Sequence, residues 1–279
     1  MWGVFFMQSL NILIVSTDKS KYVKLLLQSK YLNKIYITSE EEVDNAIKIR
    51  FNTFKELAQK CRALQIDVVL IEEEKWVLEG IANVMKQHFV NCFASTTDWT
   101  ELGLSHHYAR EMLTKYNITV PPVINLPLEF PVLVKGDGIL KKANSMQEII
   151  SIKEKIYNTS GEIAKNVFLE KYLHGEKYKI VSIFDGKHLL TFPHKNISQE
   201  LLNDYSKKLE RMFLEEKANF TGFINSEIVE ENGILYNTGF SYEFSMPDFD
   251  ICDTTVPKDI LYICLSAIYQ KLNEIKLLN

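Results

Sequence analysis

Cysteine is scarce and unpatterned: Cys61, Cys92, Cys252 and Cys264 are the only four in 279 residues. None falls in a C-x-x-C spacing, which argues against a zinc site or a disulfide framework and fits a reducing, cytoplasmic setting. Charge of one sign is lacking too. The 32 basic and 36 acidic residues leave a net charge of -4, so no global field draws the chain to nucleic acid or to an acidic membrane surface. Neither is an expected partner. The apolar stretch at residues 1–10 is short, has no basic leader and runs into a strand-like segment, so it reads as neither signal peptide nor membrane span, and Met7 is an alternative start. Repeats and low-complexity segments are missing. What remains, 46% hydrophobic and 24% charged, is a globular chain long enough for two or more cores.

The periodicity changes character along the chain. Residues 11–15 (N-I-L-I-V), 34–38 (K-I-Y-I-T), 66–71 (I-D-V-V-L-I) and 90–94 read as strands of the buried, parallel kind. Helical spacing fills the intervals at 21–29, 54–64 and 78–88. This βαβα order predicts a small Rossmann-like parallel sheet with helices on both faces, over residues 1–118. A helix at 105–116 is ended by Pro121 and Pro122. From there the order becomes α+β: strands at 131–135, 167–170, 179–184 and 188–192, a helix at 199–217, then strands at 220–229 and 234–237 meeting at a Glu231-Asn232-Gly233 turn, and a last helix at 260–277. The second unit is expected over residues 119–279.

Two segments carry chemistry. P-V-L-V-K-G-D-G at 131–138 delivers Lys135 into a Gly-Asp-Gly turn. V-F-L-E-K-Y-L-H-G-E at 167–176 is a strand ending in Glu170, a short apolar linker and a Gly-Glu pair. A lysine on one strand and carboxylates on another can hold a nucleotide, phosphates on the cation and ribose on the acid. With these residues the chain resembles the phosphoribosylamine-glycine ligase family of purine biosynthesis, within the ATP-grasp superfamily, over roughly residues 11–240. Lys135, Asp137 and Gly138 match its K-A-D-G. Glu170, Tyr172, Leu173, Gly175 and Glu176 match its I-E-E-F-L-x-G-E. Residues 67–118 match without a gap and keep Glu74 and Gly80. The resemblance implies ATP-grasp lobes, ATP bound by Lys135, Glu170, Tyr172, Leu173 and Glu176, a nucleotide or small-molecule substrate met by Glu74, and Asn237 as what remains of a Mg²⁺ site.

The departures from the family pattern cluster at its chemistry. The glycine-rich phosphate loop becomes Ser16-Thr17-Asp18-Lys19-Ser20, with no glycine to let backbone N–H groups approach a phosphate. The phosphate-binding lysine position holds His106, whose imidazole is mostly neutral at pH 7 with an ordinary pKa of ~6.5. The glycine-rich hairpin after the lysine strand shrinks to Ile139-Leu140-Lys141-Lys142-Ala143-Asn144, an absent or very short lid. Leu235 stands where the family has its metal carboxylate, and leucine offers no hard oxygen to Mg²⁺. The substrate insertion after Phe192 and the family's C-terminal domain are missing.

Three readings stay open: a shortened ligase joining an amine to a carboxylate, a noncatalytic homologue that binds a nucleotide or a protein partner, and a structural remnant. Other candidates have plainer explanations. His106 and His107 are adjacent on a helix and point apart; Glu72 to Glu74 reads as a solvated charge run; Asp248, Asp250 and Asp253 read as an acidic loop.

Overall fold

The computed structural model describes residues 9–18, 20, 22–125, 128–136, 139–160, 167–245 and 259–275. Among these the strands form three sheets. The first is parallel, in the order β3-β2-β1-β4-β5, from β1 (Leu10–Val15), β2 (Leu32–Ile37), β3 (Ile47–Lys48), β4 (Val68–Ile71) and β5 (Cys92–Phe93). β1 and β4 pair directly, Ile12 beside Val68 and Val15 beside Ile71. Their continuous apolar runs follow from burial on both faces. Leu13, Val15, Val69 and Ile71 enter one core, while Ile12, Ile14, Val68 and Leu70 enter the other, the two-residue alternation of a strand between two layers.

The first of these layers holds α2 (Phe54–Ala63), α3 (Glu74–Leu78), α4 (Ile81–Gln87), α5 (Thr97–Leu104) and α6 (His106–Lys115). The second holds α1 (Val23–Leu26) and the C-terminal helix α9 (Ile260–Ile268). Residues 78–88, expected as one helix, are broken at Gly80, which takes φ +84 between α3 and α4. A side chain there would be strained and would also meet Thr97 at 3.0 Å. β3 and α5 were not expected; both are short or weakly periodic. The C-terminal helix ends at Ile268, and a 3-10 turn, Leu272–Glu274, follows.

The second sheet is antiparallel, in the order β10-β9-β11-β12, from β9 (Glu176–Phe184), β10 (Leu189–Thr191), β11 (Gly222–Glu231) and β12 (Ile234–Ser241). The helix α8 (Gln199–Glu215), capped by the Ser198 hydroxyl accepting from the Leu201 N–H, buries Leu202, Tyr205, Leu209, Met212 and Phe213 along one face. The third sheet, β7-β6-β8, holds β6 (Val132–Gly136), β7 (Ile139–Ala143) and β8 (Phe168–Lys171), backed by α7 (Met146–Ser160).

The core does not divide where the sequence changes character. A single apolar cluster runs from Leu13 and Ile118 through Ile180 and Phe213 to Leu235 and Tyr242, fusing the parallel sheet to the four-stranded one. Backbone bonds stitch the same seam: Ala94 N–H to Thr221 C=O at 3.1 Å and Phe244 N–H to Ile71 C=O at 2.8 Å. The three-stranded sheet and α7 keep a separate small core of Val132, Val134, Ala143, Ile149 and Ile156.

Candidate functional site

A cavity of about 390 Å³ opens between the three-stranded and four-stranded sheets. Leu133 and Lys135 of β6 and Leu140 of β7 line one side; Glu227, Ile228 and Val229 of β11 and Thr238, Gly239 and Phe240 of β12 line the other. Tyr172, Leu173 and Lys177 close the end where the chain crosses between the sheets, and Gly103, His106 and Pro121 come from the helical side. Strand register explains the grouping. Lys135 is paired with Leu140, and Leu133 with Glu170 and Lys142, so these side chains share one face. The size and mixed lining are those of a small-ligand site.

Lys135 and Glu170 are both almost fully buried, at 3% and 2% exposure. Glu170 Oε2 lies 2.8 Å from Lys135 Nζ, and Oε1 accepts from Arg110 Nη1 at 2.8 Å. Lys135 also donates to the Thr238 carbonyl at 3.1 Å, and Arg110 to the Pro121 carbonyl at 2.7 Å. Two cations on one carboxylate leave this triad with a net positive charge. The Lys142 ammonium sits 4.4 Å from the centre of the Tyr172 ring. Lys142 is exposed, but burying Lys135 and Glu170 costs free energy unless each is paired, and they pair with one another.

The crossing linker is fixed by Glu231, which accepts from the His174 N–H at 2.8 Å and pairs with Lys171 at 3.1 Å. Gly175 has no alternative: a Cβ there would lie 1.9 Å from the Glu230 carbonyl oxygen. The Leu173 N–H donates to no other group among the described residues.

The other expected site residues lie elsewhere. Glu176 does not line the cavity; Lys177 does, so by strand alternation Glu176 points to the opposite face, where its charge helps push up the Tyr178 phenol, already raised by burial. Lys135 and Glu176 therefore do not face one another. Glu74 lies at the seam between α3 and β12, accepting from the Tyr242 N–H at 3.1 Å, and its carboxyl is raised by burial and by nearby Glu243. Asn237 is buried, its amide donating to the Tyr205 hydroxyl at 2.7 Å and its oxygen accepting from the Gly239 N–H at 3.0 Å. Leu235 shares that face and packs in the core. His106 does line the cavity. Asp137 and Gly138, and the acids at 248, 250 and 253, lie outside the described residues. β6 and β7 pair as an antiparallel hairpin, with only residues 137 and 138 between their bounds.

Mg²⁺ takes hard oxygen ligands in near-octahedral geometry. β12, I-L-Y-N-T-G-F-S, carries no carboxylate on either face. Glu227 is the one acid lining the cavity among the described residues, and no group of three His, Cys, Asp or Glu gathers among them. This donor set does not fit the metal.

Sequence reasoning missed three residues. Arg110 and Lys179 act through partners 60 and 64 positions away, which no local pattern reveals. Glu73 lay in the supposed charge run. Its carboxylate accepts from the Thr17 N–H at 2.5 Å and the Thr17 hydroxyl at 2.6 Å. Burial pushes that carboxyl up, but the Thr17 bonds and Lys75 outweigh it and hold it below the usual carboxylate range. The loop after β1 thus already holds an anion of the chain's own.

No family model matches the chain. Among curated relatives, phosphoribosylamine-glycine ligase of Clostridium acetobutylicum is 20% identical over 89% of this chain and 72% of its own length. The human trifunctional purine biosynthetic protein adenosine-3 is 25% identical over 63% of this chain and 20% of its own length. Among solved structures, phosphoribosylamine-glycine ligase of Thermotoga maritima superposes with a TM-score of 0.69 at 14% identity, covering 96% of this chain and 76% of that one. D-alanine-D-alanine ligase of Bacillus anthracis, complexed with ATP, gives 0.61 at 17% identity, over 95% and 100%. The chain has the ATP-grasp ligase fold, and in sequence it is similar to phosphoribosylamine-glycine ligases.

Proposed function

We propose that this chain binds an adenine nucleotide in the cleft between its two antiparallel sheets and does not carry out phosphoribosylamine ligation. The observation behind this is the contrast between the two sides of the cleft. The buried Lys135 with its Glu170 and Arg110 partners, and the linker at Tyr172 and Leu173, form a complete cradle for a base and a phosphate. The facing strand β12 offers no metal carboxylate.

In this reading the purine edge meets the Leu173 N–H, the ring lies among Leu133, Leu140 and Val229, and Lys135 meets the phosphates. Glu170 positions the lysine. Glu176, Glu74 and Asn237 have no part in it, because they face away or are already bonded. Forming an acyl phosphate requires cations to neutralise the transferring phosphoryl group and a cover to exclude water. A two-residue connection after β6, His106 in the lysine position and a metal-free β12 supply neither.

The test is a thermal-shift titration with ATP and with ADP, each with and without Mg²⁺. Ligand that binds the native state raises the midpoint, and a concentration about 100 times the Kd stabilises by about 2.7 kcal/mol. Both nucleotides should raise it, to the same extent with and without Mg²⁺, and Lys135→Ala should abolish the rise. An unchanged midpoint would leave the cleft as a remnant. The second reading, a ligase with another amine and carboxylate, is favoured by the likeness of the fold to phosphoribosylamine-glycine ligase and D-alanine-D-alanine ligase. Amine-dependent release of ADP and phosphate above a Lys135→Ala control would establish it.

A further inference from the structure

Beyond the nucleotide cradle, an ion network that no expectation assigned meets the same cleft through Glu227. Lys179 of β9 is in register with Glu227 of β11, so both side chains leave the sheet on one face. Its Nζ makes a very close contact with Glu243 Oε1 and lies 3.8 Å from Glu227 Oε1. Glu74, from the other side of the seam, adds its charge to the same neighbourhood. Burial alone pulls the Lys179 ammonium down, but Glu243, Glu227 and Glu74 outweigh it and hold it above the usual lysine range. Glu243 mirrors this: burial pushes its carboxyl up, and Lys179 brings it below the usual range. Glu243 is further held by the Ser245 hydroxyl at 3.4 Å.

Glu227 is also the acid that lines the nucleotide cleft. A lone pair of carboxylates beside a polyphosphate is repulsive, and phosphoryl-transfer sites ordinarily neutralise such a pair with a divalent ion. We propose that Lys179 is the resident cation of this cleft, its ammonium bridging Glu227 and Glu243 in place of a divalent metal. The ammonium is tethered, so it neither exchanges with solvent ions nor leaves with a ligand, and it offsets carboxylate charge beside the cleft without metal. Removing it leaves two facing carboxylates, and one or two carboxylates with water suffice for Mg²⁺ or Mn²⁺.

This deepens the nucleotide reading, yet its test uses no nucleotide, so either can fail alone. The probe is Mn²⁺, titrated into the full chain and followed by electron paramagnetic resonance of the free ion. Wild-type protein should bind no Mn²⁺ at this site. Lys179→Met should bind it about tenfold tighter than any residual wild-type binding, and adding Glu243→Gln to that variant should abolish the gain. Lys179→Arg, which keeps the charge, should behave as wild type. Wild-type binding of Mn²⁺ that Glu227→Gln or Glu243→Gln removes would overturn the proposal, and that measurement stands whether or not Lys179→Met folds. A folded Lys179→Met that binds no Mn²⁺ would overturn it equally.

Discussion

Lys135, Glu170 and Arg110 form a chain of charges in which, among the described residues, the acid has two partners and each cation has one carboxylate. That asymmetry sets an order of damage. Glu170→Ala strands the buried Lys135, 3% exposed, and removes the partner of the half-buried Arg110, whereas Lys135→Ala leaves Glu170 paired with Arg110 at 2.8 Å. Removing one partner of a buried pair costs about 3–5 kcal/mol, so Glu170→Ala should fall in that range and Lys135→Ala well below it. Urea unfolding of the two variants checks this, and a Lys135→Ala cost equal to that of Glu170→Ala would mean that Arg110 does not share the carboxylate. Sequence alone exposed Lys135 and Glu170, because each ends an apolar strand run beside a turn. It hid Arg110, which sits on an amphipathic helix 60 residues from its partner. It also hid the plug at Glu73, since three consecutive acids look alike until the fold aims one at the Thr17 N–H.

At the scale of elements, strand alternation decides which residues can act, and here sequence matching and geometry part company. The expectation placed Leu235 and Asn237 at a metal position; both turn instead toward the Tyr205 side of the sheet. The neighbouring Thr238 lines the cleft. A one-residue difference in register moves every side chain of a strand to the other face. Leu235→Glu would therefore bury an unpaired carboxylate in the main core rather than rebuild a metal site. It should destabilise the protein by about 3 kcal/mol or more and confer no Mg²⁺-dependent rise in midpoint, as thermal unfolding with and without the ion would show. A stable variant with such a rise would mean that residue 235 faces the cleft. The same logic covers Glu176, one residue from the cavity-lining Lys177. Long elements were legible from periodicity, as in the helix at 199–215 and the strands at 68–71 and 222–231. The two-residue β3 and the break at Gly80 were not, because two residues have no period and a backbone angle leaves no composition signal.

For the whole molecule, the fused core means that the parallel and four-stranded sheets rise and fall together, while the three-stranded sheet with α7 rests on five buried apolar residues of its own. A boundary near residue 119 follows the change in strand order, but packing joins what the order separates, and no local pattern foretold that Ile118 and Leu235 share one cluster. Opening free energy tracks the apolar contacts that must break, so native-state hydrogen exchange should show β6, β7 and α7 opening well below the global limit and β1, β4, β9 and β11 opening at it. The cleft links the two units, since Leu133, Lys135 and Leu140 come from the small sheet and Ile228 and Phe240 from the large one. The Lys135 bond to the Thr238 carbonyl already spans that gap. A nucleotide seated there adds its binding free energy to the cost of opening the small sheet, raising the protection of β6 and β7 selectively by about 2.7 kcal/mol at 100 times Kd. Hydrogen exchange measured with and without ADP reads this directly. Protection gained equally across all three sheets would place the ligand in the fused core, and protection gained only around Ser16 and Thr17 would move the nucleotide to the parallel sheet.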